Sequence, residues 1–125
     1  MADYYTQFST RLELGTKENV AKALEIAALN EDEDEPKYLF DVEEYNDTSI
    51  WLHDDNFDMD NVETFVKELC TAITLKGKWG FTYSYSCSKP RIDDFGGGAV
   101  VFDLTTGDLI TSISDYEWLQ DNLTR

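Results

Sequence analysis

The run Lys78-Trp-Gly-Phe-Thr-Tyr-Ser-Tyr-Ser86 sets Trp79, Phe81, Tyr83 and Tyr85 on alternate positions, with Thr82, Ser84 and Ser86 between them. Bulky aromatic side chains at a period of two share one face only when the chain is extended. The protein must therefore build a sheet with one face buried and the other wet. A second alternating run, Tyr4 to Leu14, places Thr6, Phe8, Thr10, Leu12 and Leu14 opposite Gln7, Arg11 and Glu13. Tyr38 to Tyr45 and Ser49 to His53 read as two more strands, joined by the turn-forming residues Asn46, Asp47 and Thr48. Gly98 to Leu104 and Leu109 to Ile113 form a later pair around a turn at Thr105 to Asp108.

Between these runs the period changes to that of a helix. Val20, Ala23, Leu24, Ala27 and Ala28 recur at helical spacing, with Thr16 as N-cap and an end near Asn30. Val62, Phe65, Val66, Leu69, Cys70 and Ile73 mark a second amphipathic helix, capped by Asp60 and stopped by Gly77. Asp115 caps a third, running through Leu123. Glu31 to Lys37 contains five acids and Pro36, and like charge beyond a helix C-terminus is unfavourable, so this stretch reads as an exposed loop. The expected architecture is α+β in a single domain, 1–125. It is an antiparallel sheet with helices on one face, in the ferredoxin-like (split βαβ) order β-α-β-β-α-β, followed by a β-hairpin and a C-terminal helix.

Between Glu31 and Glu63 the chain carries fourteen acidic side chains and one basic one, Lys37, within a net charge of -16. Acidic runs are usually solvated faces that keep a small domain in solution. Here the acids are interleaved with Tyr38, Phe40, Val42, Ile50, Trp51, Leu52, Phe57 and Phe65, which places them on folded elements and not on a disordered tail. Such a field repels nucleic acid and anionic membrane and steers basic protein surfaces toward the chain. Ten cations against twenty-six acids leave no basic groove for direct nucleic-acid binding. The start of the chain has no basic segment followed by an apolar run, and no stretch of about eighteen apolar residues occurs, so the expected location is cytoplasmic.

Chemistry-bearing motifs are few. His53, the sole histidine, precedes Asp54, Asp55, Asn56, Asp58 and Asp60, a row of oxygen ligands that invites a calcium-loop reading. Counted from Asp54, that loop would need Gly and Glu where Met59 and Phe65 stand, so no metal is expected. Cys70 and Cys87 have no metal-type spacing; Cys70, on the helical stripe, reads as the buried thiol, and Cys87 lies beside Lys89 and Arg91. Gly96, Gly97 and Gly98 could expose amides to an anion, yet phosphate loops are followed by a helix and these precede Ala99-Val-Val-Phe102. A wide hairpin with a glycine bulge is the plainer reading. Ser86, Cys87 and Ser88 have no imidazole on their own strand to activate them, so no catalytic residue, enzyme activity or cofactor is assigned.

Tyr4-Tyr-Thr-Gln-Phe8, Trp51-Leu-His-Asp54, Cys87-Ser-Lys-Pro-Arg91, Phe95-Gly-Gly-Gly-Ala99 and Glu117-Trp-Leu119 together resemble a family of small acidic proteins met in bacteriophages, plasmids and bacterial genomes. The resemblance implies a mobile-element context and carries no activity. In that context small acidic proteins are often inhibitors whose carboxylates stand in for phosphates in a host defence complex, as anti-CRISPR proteins do.

Two functions of different class are therefore expected. The first is a non-enzymatic binding protein that presents Glu31, Asp32, Glu33, Asp34, Glu35, Asp41, Glu43, Glu44, Asp54, Asp55 and Asp58 to a basic surface of a nucleic-acid-handling complex. The second is a small-molecule or ion-binding domain around Trp51, His53, Cys87, Lys89, Arg91, Gly96, Gly97 and Gly98. A second copy of the chain, paired through strand edges, is a further partner class.

Overall fold

A computed structural model describes residues 4–29, 40–89 and 95–124. The elements follow in the order β1 (Tyr4–Glu13), α1 (Lys17–Leu29), β2 (Asp41–Asn46), β3 (Ser49–Asp54), α2 (Met59–Ala72), β4 (Lys78–Cys87), β5 (Gly96–Asp103), β6 (Leu109–Ser114) and α3 (Asp115–Leu123). The fold is α+β, with one open six-stranded sheet in the order β2-β3-β1-β4-β5-β6 and every neighbouring pair antiparallel. The expected ferredoxin-like order, with a hairpin after it, is not matched by this single six-stranded order. Here β5 and β6 extend the sheet beyond β4, and β1 changes partner along its length: Tyr4–Gln7 pair with β4, and Phe8–Glu13 pair with β3.

Alternation decides which side of the sheet is buried. Phe8 and Leu12 of β1, Ile50 and Leu52 of β3, Phe81 of β4, and Val100 and Phe102 of β5 all lie in one core, against Val20, Ala23 and Ile26 of α1 and Val62, Phe65, Val66 and Leu69 of α2. Phe8 is its hub, with ring centroids 4.4 Å from Phe57, 5.2 Å from Phe81 and 5.7 Å from Phe40. Past Gln7 the ladder between β1 and β4 is replaced by a side chain: the Trp79 indole donates to the Arg11 carbonyl at 3.0 Å. That bond satisfies a backbone oxygen that strand pairing would otherwise take.

Helix boundaries follow local capping. Thr16 caps α1 as expected, its Oγ1 accepting from the Asn19 amide at 3.1 Å. The cap of α2 is Asp58 and not Asp60: Asp58 has the extended backbone of an N-cap, and its carboxylate accepts from the Asp60 amide. α2 ends at Ala72, where Ile73 turns extended, well before Gly77. Ser114 caps α3, which makes Asp115 its first residue and not its cap. α1 and α2 cover one face of the sheet; α3 touches β5 and β6 and buries none of its side chains.

Cys70 is not the fully buried thiol that was expected. Cys87, at the end of β4, is buried, whereas Cys70 is half-buried. Burial, with the Asp103 carboxylate nearby, pushes the Cys70 thiol above its ordinary value of 9.0. Among the described residues no group of His, Cys, Asp and Glu is arranged to hold a metal ion, and no helix is long and apolar enough to cross a membrane.

Candidate functional site

The face of the sheet away from α1 and α2 carries the polar half of each alternating strand. Because Ile50 and Leu52 point into the core, Trp51 and His53 of β3 must point out of it. Register then chooses their neighbours. Ser9 of β1 and Asp41 of β2 flank His53, while Arg11 and Glu43 flank Trp51.

The side chains interlock. The Trp51 indole stacks on the His53 imidazole at 3.6 Å between centroids and 23° between planes, and its Nε1 donates to Ser9 Oγ at 2.7 Å. His53 Nε2 sits 2.6 Å from Glu43 Oε2, and Nδ1 lies 4.0 Å from Asp41 Oδ2. Arg11 is drawn aside over the Tyr45 ring, 5.4 Å from its centroid.

Beyond β3 the chain folds back along the start of β1. The Thr6 amide donates to the Asp55 carbonyl at 3.1 Å, and the Phe57 amide donates to the Thr6 carbonyl at the same distance. This return holds Asp54 and Asp55 at one end of the sheet. Asp54 Oδ1 accepts from the Asn56 amide at 2.9 Å, and Asp55 Oδ1 accepts from Gln7 Nε2 at 3.4 Å.

Where β1 exchanges β4 for β3, the sheet opens into a groove of about 730 Å³. Ser9, Trp51 and His53 lie on one side of it, Thr82 and Ser84 of β4 on the other, and Asp41, Asp54 and Asp55 along its rim. Among the described residues that line it, four of the ionisable side chains are not tyrosines: three are carboxylates and the fourth is His53. Glu43, hydrogen-bonded to His53, adds another carboxylate beside it.

The structure thus combines parts of both expected sites. Asp41, Glu43, Asp54 and Asp55 of the acidic set meet Trp51 and His53 of the ligand set in one place. Glu44 is exposed on the opposite side of β2, and Asp58 is occupied as the α2 cap. Glu31 to Glu35 and Arg91 lie outside the described residues.

The remaining ligand candidates are not brought to Trp51. Cys87 lies buried at the end of β4, and Lys89 is exposed beyond it. Gly96, Gly97 and Gly98 are not a loop or bulge but the first three residues of β5, paired with Tyr85, Ser84 and Tyr83, so their backbone belongs to the ladder. They are glycines because of what lies against them. A Cβ on Gly97 would press on the Tyr83 backbone carbonyl and one on Gly98 on the Ile113 carbonyl and the Tyr83 ring, whereas at Gly96 it would meet only the side-chain ends of Tyr85 and Asp115.

Ser9, Gln7, Thr82 and Ser84 were absent from both expected sets. Their signal was parity: each stands on the polar side of an alternating strand. Comparison of the chain with family models, with curated proteins and with solved structures found no match.

Proposed function

We propose that this protein is a non-enzymatic binding module whose open sheet face receives a basic segment of another protein. The observation that carries the reading is the groove at the β1 partner exchange, which puts Asp41, Asp54, Asp55 and Glu43 around one aromatic floor with no lysine or arginine among its described lining residues. Guanidinium groups suit such a place, since they stack on an indole face while donating to carboxylates. Its most concrete partner is the nucleic-acid site of a nucleic-acid-handling or defence complex, where carboxylates would take the part of phosphates. The mobile-element context of the family that the chain resembles favours the same partner. A small cationic molecule is the second reading, favoured by the exposed Trp51 ring stacked on His53.

The test uses an arginine-rich peptide as probe, with fluorescence anisotropy as readout. The triple variant Asp41→Asn, Glu43→Gln, Asp55→Asn is compared with Glu25→Gln, Asp108→Asn, Asp121→Asn, which removes the same charge at exposed residues that do not line the groove. Loss of affinity at least about tenfold greater in the first variant supports a defined site, since such a factor corresponds to about 1.4 kcal/mol. Equal loss in both would reduce the acidic surface to a diffuse field.

A further inference from the structure

The cation that stands beside the groove is held out of it. Arg11 pairs directly with Trp51 across β1 and β3, so the two side chains leave the same face of the sheet from Cβ atoms about 5 Å apart. A groove with an exposed indole and a rim of carboxylates suits a guanidinium, yet Arg11 is not among the residues that line it. Its guanidinium lies over the Tyr45 ring instead, and among the described residues it forms no ion pair.

Local chemistry accounts for that choice. Glu13, two residues along the same face, accepts from the Gly15 amide through Oε1 at 3.3 Å, and Glu43, across β3, is engaged by His53. Both carboxylates on the Tyr45 side are thus occupied. Tyr45 itself sits at the register shift of β2 between Glu44 and Asn46. A bulge of this kind re-aims a side chain, and here the re-aimed ring is exposed and meets Arg11.

We infer that Tyr45 is a positioning residue that parks Arg11, and that Arg11, once released, enters the groove as a competitor built into the chain. The inference rests on the basic-segment reading of the groove and adds its regulation. Arg11 has two places to lie, the Tyr45 ring or the Trp51 end of the groove. A cation on an exposed ring is favoured only about two- to fivefold, so the balance is easily moved. A tethered competitor acts at high effective concentration, and the partner's apparent affinity falls with the fraction of molecules whose groove is occupied. Because β2 is an edge strand, a shift of its end alone would move Tyr45 and change that fraction.

A mutant cycle read by anisotropy with the arginine-rich peptide tests the device. Tyr45→Leu leaves the net charge unchanged and should weaken the peptide about two- to fivefold at unchanged far-ultraviolet circular dichroism. The same substitution made in an Arg11→Gln background should have no effect, because the competitor is gone. Arg11→Gln alone is the reference for that background, since it also tightens binding through charge. The Trp51 indole N–H resonance gives a readout without peptide: Tyr45→Leu should move it only while Arg11 is present.

Unchanged peptide affinity in Tyr45→Leu would overturn the inference and leave the basic-segment reading standing. Equal weakening with and without Arg11 would also overturn it, by making Tyr45 a direct contact of the peptide. A wild type that does not bind the peptide would remove the basic-segment reading, and this inference with it.

Discussion

Gly97→Ala and Gly96→Ala together test why three glycines open β5. In an unobstructed strand, replacing glycine by alanine removes backbone freedom from the unfolded chain and stabilises by roughly 0.5–1 kcal/mol. At Gly97 the new Cβ would press on the Tyr83 backbone carbonyl, inside the 3.0 Å that real Cβ contacts respect. Because Tyr83 is held in β4, relief requires the two strands to separate. Overpacking that moves backbone costs about 1–3 kcal/mol. At Gly96 the obstructing atoms are the far end of the Tyr85 ring and Asp115 Oδ1, at 2.6 and 2.7 Å, which can swing aside. Gly96→Ala should therefore stay within about 1 kcal/mol of wild type. Gly97→Ala should lose about 1–3 kcal/mol, a fall in Tm of very roughly 4 °C for each kcal/mol at this chain length. Urea denaturation followed by circular dichroism measures both. If Gly97→Ala is as stable as wild type, or Gly96→Ala is the more damaging, close strand approach is not what excludes side chains here. An anion-binding role for these amides predicts the reverse pattern, with stability kept and a ligand lost.

Phe8→Ala removes the ring shared by Phe40, Phe57 and Phe81 and should destabilise by about 3–5 kcal/mol, a large part of the stability of a small domain, read as a drop in the urea midpoint. Asp58→Ala should lower stability by about 1 kcal/mol because it uncaps α2, and Asp60→Ala by less; equal effects in thermal melts would refute the capping assignment. Cys70 and Tyr83 both hold their protons more tightly in the folded chain, Tyr83 through burial and then the charges of Glu117 and Asp115. Stability should accordingly be intact below the ordinary thiol value of 9.0 and decline as pH rises above it. Cys70→Ala should flatten the first part of that decline in urea titrations between pH 7 and 10.

Much of this architecture was legible because half-buried elements write their burial into the sequence. Phe8 and Leu12, Ile50 and Leu52, and Val62, Phe65, Val66 and Leu69 are core residues at the spacing their elements require. The order of elements followed from those periods. What periodicity lacks is pairing. That β1 leaves β4 after Gln7 depends on Trp79 reaching the Arg11 carbonyl from sixty-eight residues away, which no local pattern records. The glycines of β5 were unreadable for the same reason, since the carbonyls and rings that crowd them belong to β4 and β6. Trp51 and His53 could be singled out by type, but Ser9, Asp41 and Glu43 became their partners only through register. The caps failed more narrowly: Asp58 and Asp60 are equally good acceptors by type, and backbone geometry chose between them.

The position of β1 in the sheet also imposes a timetable. β1 ends at Glu13 and β4 begins at Lys78, so at about 5–20 residues per second a ribosome needs roughly 3–13 s to make what lies between them. During that interval β1 can close its ladder with β3, while its first residues wait for a strand not yet synthesised. The two walls of the groove are consequently made at different times: Ser9, Trp51 and His53 can assemble early, and Thr82 and Ser84 must arrive late. A nascent chain from which β3 has emerged but β4 has not would carry Trp51 and His53 on a paired strand while Phe8 still lacked Phe81, leaving an apolar surface for chaperones to read.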